Sequence, residues 1–221
     1  TASQTTAHAA PLNPPNHHSP SKKALGVALM ETLPLIETVI YKVGEVSGPY
    51  RTYNHGLLAG RDSTKVTLTE SGITLNFDLN DVYWCSRLAE ERRRLIQTEF
   101  KKNQTIADPF CGVGAVCIQA ASELGCTIWA NDWNPKAVEY LKQNAIGNNV
   151  EIERLQCRDA YEFLMDMGFD SDEGINQLSM RLPDHVVMNF PVKAPEFLGA
   201  LRWWPAQKGG KNITIPIHKL M

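Results

Sequence analysis

The 221-residue chain lacks an excess of charge of either sign: 22 Lys and Arg stand against 24 Asp and Glu, a formal net charge of -2. The strongly basic balance that marks most nucleic-acid-binding domains is therefore missing. Cysteine is sparse as well. Cys85, Cys111, Cys117, Cys126 and Cys157 are odd in number and show no CxxC spacing. They read as reduced intracellular thiols rather than zinc ligands or a disulfide frame. No apolar run approaches the roughly 20 residues that a membrane span needs. Residues 1–20 contain no Arg and no apolar h-region, so neither a transit peptide nor a signal peptide is supported. Pro, His, Ser, Asn and Ala fill that stretch without an apolar period, which predicts a disordered lead over residues 1–23. His17-His18 within it reads as part of a solvated tract, and no metal site is expected.

The informative residues begin downstream. Asp184-His-Val-Val-Met-Asn-Phe-Pro is an apolar, β-branched run that ends abruptly in Asn189, Phe190 and Pro191. It reads as a buried parallel strand, with Pro191 stopping the ladder. In open α/β sheets, ligands bind at the carboxyl ends of the strands. A side-chain amide there offers a donor and an acceptor, suited to a reacting amine or a purine edge. About eighty residues upstream, Thr105-Ile-Ala-Asp-Pro-Phe-Cys-Gly-Val-Gly-Ala-Val-Cys-Ile reads as strand, glycine turn at Gly112 and Gly114, and helix to about Leu124. Cys126-Thr-Ile-Trp-Ala-Asn is a second strand whose tip carries Asp132, placed to hold a ribose diol. Asn134-Pro135 opens a helix, and a third strand near Glu151–Cys157 brings Asp159 to the same edge. The glycine loop lacks the third glycine of a dinucleotide fingerprint and the Lys-Ser/Thr of a P-loop.

Asp-Pro-Phe-Cys-Gly-Val-Gly instead resembles the first motif of class I S-adenosylmethionine-dependent methyltransferases. Asn-Phe-Pro at the fourth strand narrows the resemblance to enzymes that methylate amino or imino nitrogens. Four blocks are similar to the archaeal and eukaryotic tRNA (guanine-37-N1)-methyltransferases. They are Asp81-Val-Tyr-Trp-Cys-Ser-Arg-Leu-Ala-Glu-Glu-Arg-Arg-Arg, the glycine loop, Ala130-Asn-Asp-Trp-Asn-Pro, and Val187-Met-Asn-Phe-Pro-Val-Lys-Ala-Pro. Tyr41-Lys-Val-Gly-Glu-Val and Tyr50-Arg-Thr-Tyr match that family's smaller middle domain, so the similarity runs from about Leu25 to Ile217. The resemblance implies a Rossmann-like domain over residues 81–221, with a mostly parallel sheet and helices on both faces. A small α+β domain over residues 24–80 would precede it, holding a hairpin around Ser71-Gly72. It also implies S-adenosylmethionine as cofactor and the anticodon loop of tRNA as partner. A monomer in the cytoplasm is expected, with a nuclear or mitochondrial pool compatible. The chain starts at Thr1 without Met and stops after Ile213-Thr-Ile-Pro-Ile-His, short of the two further strands such folds carry, so truncation at both ends is expected.

The chemistry assigns roles within that resemblance. N1 of guanine is a poor nucleophile until its proton leaves, and charge then grows on O6. By motif position, Glu91 is the implied general base and Arg51 the guanidinium that meets O6. Asn189 would hold the guanine edge, with Pro191 shaping the loop and Phe190 lining the pocket. Tyr83, Phe110, Cys111, Gly112 and Gly114 fall where cofactor contacts lie, Asp132 would take the ribose hydroxyls, and Asp159 the adenine amino group. Arg87, Arg92, Arg93 and Arg94 would border the target nucleotide and meet phosphates. From the residues alone, Glu91 and these arginines also read as a solvated helix face bearing i,i+3 ion pairs. Three alternatives stand beside methyl transfer to guanine. They are aminocarboxypropyl transfer in wybutosine synthesis, an amino-methyltransferase for DNA or protein glutamine, and a non-enzymatic RNA-binding remnant. Asn189-Phe190-Pro191 argues against the first, and the Tyr50-Arg51 and Tyr83–Arg94 blocks against the second.

Overall fold

A computed structural model describes residues 6–7, 9–12, 19–33, 35–167, 182–190, 194–205, 207–208, 211–212 and 215–220. The chain divides into two compact units, Thr1–Cys85 and Ser86–Met221. The division falls after Cys85 rather than at residue 80, because Val82 is buried and Trp84 packs on Phe77 with ring centroids 4.9 Å apart.

The first unit contains β1 (Thr6–Ala7), β2 (Ala9–Leu12), α1 (Ser19–Thr32), β3 (Thr38–Ser47), β4 (Thr52–Gly60), β5 (Lys65–Glu70) and β6 (Ile73–Asp78). The expected hairpin is β5 and β6, paired antiparallel in register from Lys65↔Asp78 to Glu70↔Ile73. Val66, Leu68, Ile73, Leu75 and Phe77 alternate inward as a strand period of two requires. Ser71 and Gly72 at its turn both take positive φ, the backbone that a tight right-twisted hairpin demands. The disordered lead expected over residues 1–23 is corrected for its described part. β1 pairs with β5, β2 runs parallel to β3, and α1 already begins at Ser19. Joining a sheet edge uses backbone donors and acceptors alone, so a segment without apolar period can still be recruited.

The second unit begins with a 3-10 turn at Ser86–Leu88 and α2 (Ala89–Thr98). There follow β7 (Thr105–Asp108), α3 (Ala115–Leu124), β8 (Thr127–Asn131), α4 (Pro135–Gly147), β9 (Arg154–Gln156), α5 (Ala160–Met167) and β10 (His185–Val187). A 3-10 segment Ala194–Trp203, a short hairpin of β11 (Gln207–Lys208) and β12 (Lys211–Asn212), and β13 (Ile217–His218) complete it. Five strands form one sheet in the order β13-β10-β7-β8-β9, and every pairing is parallel. Strand alternation divides the core between the two faces. Ile106, Ile128 and Val187 pack with Leu95, Phe100, Cys117 and Leu141. Ala107, Trp129 and Val186 pack with Phe163, Leu164 and Ala200. Helices therefore cover both faces, which is what buries an all-parallel sheet.

The sheet order reverses direction at β7, whose neighbours are β8 on one side and β10 on the other, and the loops after these strands converge at one edge. Gly112 and Gly114, with φ of 53° and 96°, bend the β7–α3 loop. Their surroundings differ. A Cβ on Gly114 would lie 2.9 Å from Ile118 Cδ1 and 3.0 Å from Leu141 Cγ, whereas one on Gly112 would meet nothing within 4 Å. Gly114→Ala should therefore add overpacking of about 1–3 kcal/mol to left-handed strain of about 1–2 kcal/mol. Gly112→Ala should carry the strain of about 1–2 kcal/mol alone. Urea denaturation midpoints compare the two, and equal losses would overturn the packing account.

Candidate active site

The loop after β7 is held from three directions. Asp108 is buried at the strand end and accepts from Phe110 N–H at 3.0 Å. Asp132, just past β8, accepts from Gly112 N–H at 2.8 Å through Oδ2 and from Asn134 N–H at 2.9 Å through Oδ1. Asn134 in turn caps α4, its side chain accepting from Lys136 N–H ahead of Pro135 at the first turn. The third hold is Asn131, fully buried at the tip of β8. Its amide donates to the carbonyls of Pro109 at 3.2 Å and Arg158 at 3.0 Å, and its oxygen accepts from Arg158 N–H at 3.1 Å. Cys111 N–H also donates to the Asn131 carbonyl at 2.9 Å. The loops after β7, β8 and β9 are thereby one hydrogen-bonded edge, with α3 presenting its N-terminus at the loop.

Burial shapes the charges there. Asp108 is pushed up to about 7, chiefly by loss of solvent, with the nearby Asp132 adding repulsion and Phe110 N–H opposing it. Burial also raises Asp132, while the Asn134 and Gly112 amides pull the other way. The Cys111 and Cys117 thiols are driven well above their ordinary value by burial, so both are neutral and neither is an activated nucleophile. Asp159, past β9, is exposed and caps α5, accepting from Tyr161 N–H at 2.7 Å.

An aromatic wall stands on the neighbouring strand end. Phe110 stacks on Phe190 at 4.9 Å and 14°, and Phe197 meets both edge-on at 5.0 and 5.8 Å. Asn189, half-buried, immediately follows the buried Met188 beyond β10. Phe110, Cys111, Gly112, Gly114, Asp132, Asp159 and Asn189 thus lie on the loops at the carboxyl ends of β7, β8, β9 and β10. Pro191 lies outside the described residues.

α2 departs from expectation at one arginine. Arg92 is 3 % exposed, so it is withdrawn from the set expected to meet RNA phosphates. The helix phase turns it inward together with Leu95 and Ile96. Arg87 is exposed. Arg93 is ion-paired with Glu90. Arg94 grips Glu91 with both arms of its fork, at 2.8 and 3.0 Å, and reaches Glu99 at 3.3 Å. That hydrogen bonding holds the Glu91 carboxyl below its ordinary value.

Arg51 and Tyr83 belong to the first unit. Arg51 sits in the left-handed region at φ 57°, in the turn between β3 and β4, its N–H donating to Gly48 carbonyl at 3.3 Å. Tyr83 lies 6.0 Å from Tyr53, ring to ring. Its phenol is raised mainly by burial, and the positive charge of Arg51 partly offsets this. The sequence reading missed Asp108, Asn131 and Phe197. Asn131 left a signal, a polar residue closing an otherwise apolar strand, and its partners lie more than twenty residues away.

A five-stranded parallel sheet of this order, with a glycine loop after its central strand and an acid after the next, defines a Rossmann-like domain of the class I methyltransferase type. The chain belongs to the TRM5/TYW2 methyltransferase domain family, whose model matches residues 66–209. It is 61 % identical over 234 residues to tRNA (guanine(37)-N(1))-methyltransferase 2 of Phaeodactylum tricornutum, an alignment covering 96 % of this chain and 40 % of that protein. Among solved structures it resembles wild-type Trm5b from Pyrococcus abyssi, with TM-score 0.72, 28 % identity, and coverage of 91 % of this chain and 56 % of that one. A second is the complex of aTrm5 with tRNALeu, with TM-score 0.71, 25 % identity, and coverage of 93 % and 56 %. The chain therefore spans well under two thirds of the length of these relatives.

The raised Asp108 has a measurable signature. Its folded value of about 7 lies above the unfolded carboxylate's 3.8, so between these values the folded state binds more protons. Stability from this group then falls as pH rises through that window and levels off above it. Asp108→Asn removes the titration. The melting-temperature difference between variant and wild type should shift in the variant's favour from pH 4 to pH 7 and level off toward pH 8. A pH-independent difference would place Asp108 in contact with solvent.

Proposed function

We propose that this chain is the catalytic portion of an enzyme that transfers the methyl group of S-adenosylmethionine to N1 of guanine 37 in tRNA, working as a cytoplasmic monomer. The observation that carries the reading is the shared edge of Asp132, the Gly112–Gly114 loop and Asn189, in a chain 61 % identical to a relative named for that reaction. The residues fit the cofactor. Open space lies where a Gly112 side chain would stand, and the Asp132 carboxylate beside it is half-buried. When bound, S-adenosylmethionine supplies an electrophilic methyl group on a sulfonium.

The chain's own residues do the rest. Asp132 accepts from the ribose hydroxyls, Asp159 from the adenine amino group, and Phe110 lines the pocket with Cys111, while a cofactor contact of Tyr83 is what the resemblance assigns. Asn189 holds the guanine edge, Pro191 is given the shaping of that loop by its place in the family motif, and the resemblance assigns the Arg51 fork to O6, where charge develops. Glu91 accepts the N1 proton, leaving the nitrogen lone pair to form the new bond. Arg94 keeps Glu91 ionised and aimed, so the pair is compatible with a base that is weak but always deprotonated near neutrality. Arg87, Arg93 and Arg94 remain for RNA phosphates.

The family model is described as a methyltransferase domain, and aminocarboxypropyl transfer is the second reading because the resemblance includes a relative with that reaction. Asn189-Phe190-Pro191 favours methyl transfer, since the resemblance associates a different motif with the other reaction. Incubation of tRNA with labelled cofactor, followed by mass spectrometric mapping, tests the choice. A single methyl on guanine 37 supports the proposal, and a larger adduct or an unmodified tRNA overturns it.

Two variants test the assigned roles. Asp132→Ala should weaken S-adenosylmethionine binding by about 1.5–3 kcal/mol, the scale of hydrogen bonds to a charged group. Unchanged calorimetric affinity would remove Asp132 from the site. Glu91→Gln should slow single-turnover methyl transfer by about 10²-fold or more while cofactor affinity holds. The wild-type rate should decline only as pH falls through the lowered value of Glu91. Arg94→Met, which frees the carboxylate, should move that limb to higher pH. A wild-type rate in Glu91→Gln would leave Glu91 as an ion-pair partner alone.

A further inference from the structure

The loop after β9 gives one residue two holds on the fold. The main chain of Arg158 is bound in both directions by the buried Asn131 amide, which donates to its carbonyl at 3.0 Å and accepts from its N–H at 3.1 Å. Its side chain then reaches forward along α5. One arm of the guanidinium donates to Asp166 at 2.6 Å and the other to Glu162 at 3.2 Å. These two acids stand at i,i+4 on one helix face, where like charges repel unless a cation lies between them. Phe163, Leu164 and Met167 bury the other side of α5 in the core. Apolar packing of that kind is non-directional and leaves the roll of a short helix loosely fixed. The Arg158 strap supplies the direction, from the sheet edge to the helix.

Between the two ends of this strap lies Asp159. Its Oδ1 accepts from Tyr161 N–H at 2.7 Å and from Glu162 N–H at 3.4 Å, so one oxygen is committed to the first turn of α5. Oδ2 carries no hydrogen bond among the described residues, and the residue is exposed. Where that second oxygen points follows from where the first turn of α5 stands. We infer that Arg158 is a positioning residue for base recognition in the cofactor: its fork fixes α5, and α5 directs the open oxygen of Asp159 at the adenine amino group. A carboxylate oxygen so held accepts from an amino group and repels a carbonyl, so it separates adenosine from inosine. The inference rests on the cofactor role proposed for Asp159 and adds the residue that sets its aim.

Calorimetric titration of the full chain with S-adenosylhomocysteine and S-inosylhomocysteine tests it, because the two ligands differ at the base alone. Wild type should bind the adenine form tighter by roughly 10- to 150-fold, the worth of a hydrogen bond to a charged group. Asp159→Asn should turn the preference toward inosine, since the amide oxygen stays on Tyr161 N–H and the amino group faces the base. Arg158→Met should lower the wild-type ratio by roughly three- to tenfold, the scale of two exposed ion-pair arms. Asp166→Asn, which removes one arm, should give part of that loss, and Arg158→Lys, which lacks the fork, should restore only part of the ratio. A merely structural role would lower the melting temperature of Arg158→Met and leave the ratio unchanged. That result would overturn the inference while leaving Asp159 at the base. A wild type without preference, or an Asp159→Asn variant that keeps it, would instead remove Asp159 from the adenine site and this inference with it. A wild type that binds neither ligand would overturn the proposed function itself.

Discussion

The hydrogen bonds of the Asn131 amide govern the site. Two donors and one acceptor on a fully buried side chain reach Pro109 and Arg158, tying the loops after three parallel strands into one edge. An amide is suited to this because it donates and accepts at once without introducing charge. Leaving such partners unsatisfied in a buried place would cost about 1–3 kcal/mol per group. The loop it secures carries Gly112, and Gly112 is what connects it to Asp132. The cofactor-side geometry is therefore preorganised by neutral hydrogen bonds, and the carboxylates ride on them.

The acids around this edge illustrate how one residue type takes different states. Asp108, stripped of solvent, rises to about 7, close to the point where it is half protonated at neutrality. Glu91, gripped by an arginine fork, falls below its ordinary value. The first is shaped by desolvation and the second by hydrogen bonding to its charged form. The α2 helix meanwhile balances Arg93 and Arg94 with Glu90, Glu91 and Glu99, so its surface holds less free positive charge than its sequence suggests.

Much of this was legible in the chain itself. A glycine pair after a short apolar strand, an acid after the next strand and Asn-Phe-Pro after a fourth place those residues at one sheet edge in any parallel βαβ arrangement. The reason is local, since strand period, turn chemistry and helix caps act over a few residues. The β5–β6 hairpin follows from the same rules, with Ser71-Gly72 supplying the positive φ. Arg92 was not legible in this way. Its position among four closely spaced arginines suggested surface, whereas helix phase turned it inward with Leu95 and Ile96.

The sequence by itself determined the order of strands and helices, the bend at Gly112 and Gly114, and the placing of Asp132 and Asn189 at strand ends. Only the tertiary structure decided the rest. It recruited Ala9–Leu12 to the edge of β3, joined Asn131 to partners 22 and 27 residues away, and raised Asp108 by burial. It also set Lys42 over Tyr53 through the bulge between β3 and β4. Such outcomes depend on which distant groups share a small volume from which water is excluded, and neither spacing nor propensity along the chain carries that information.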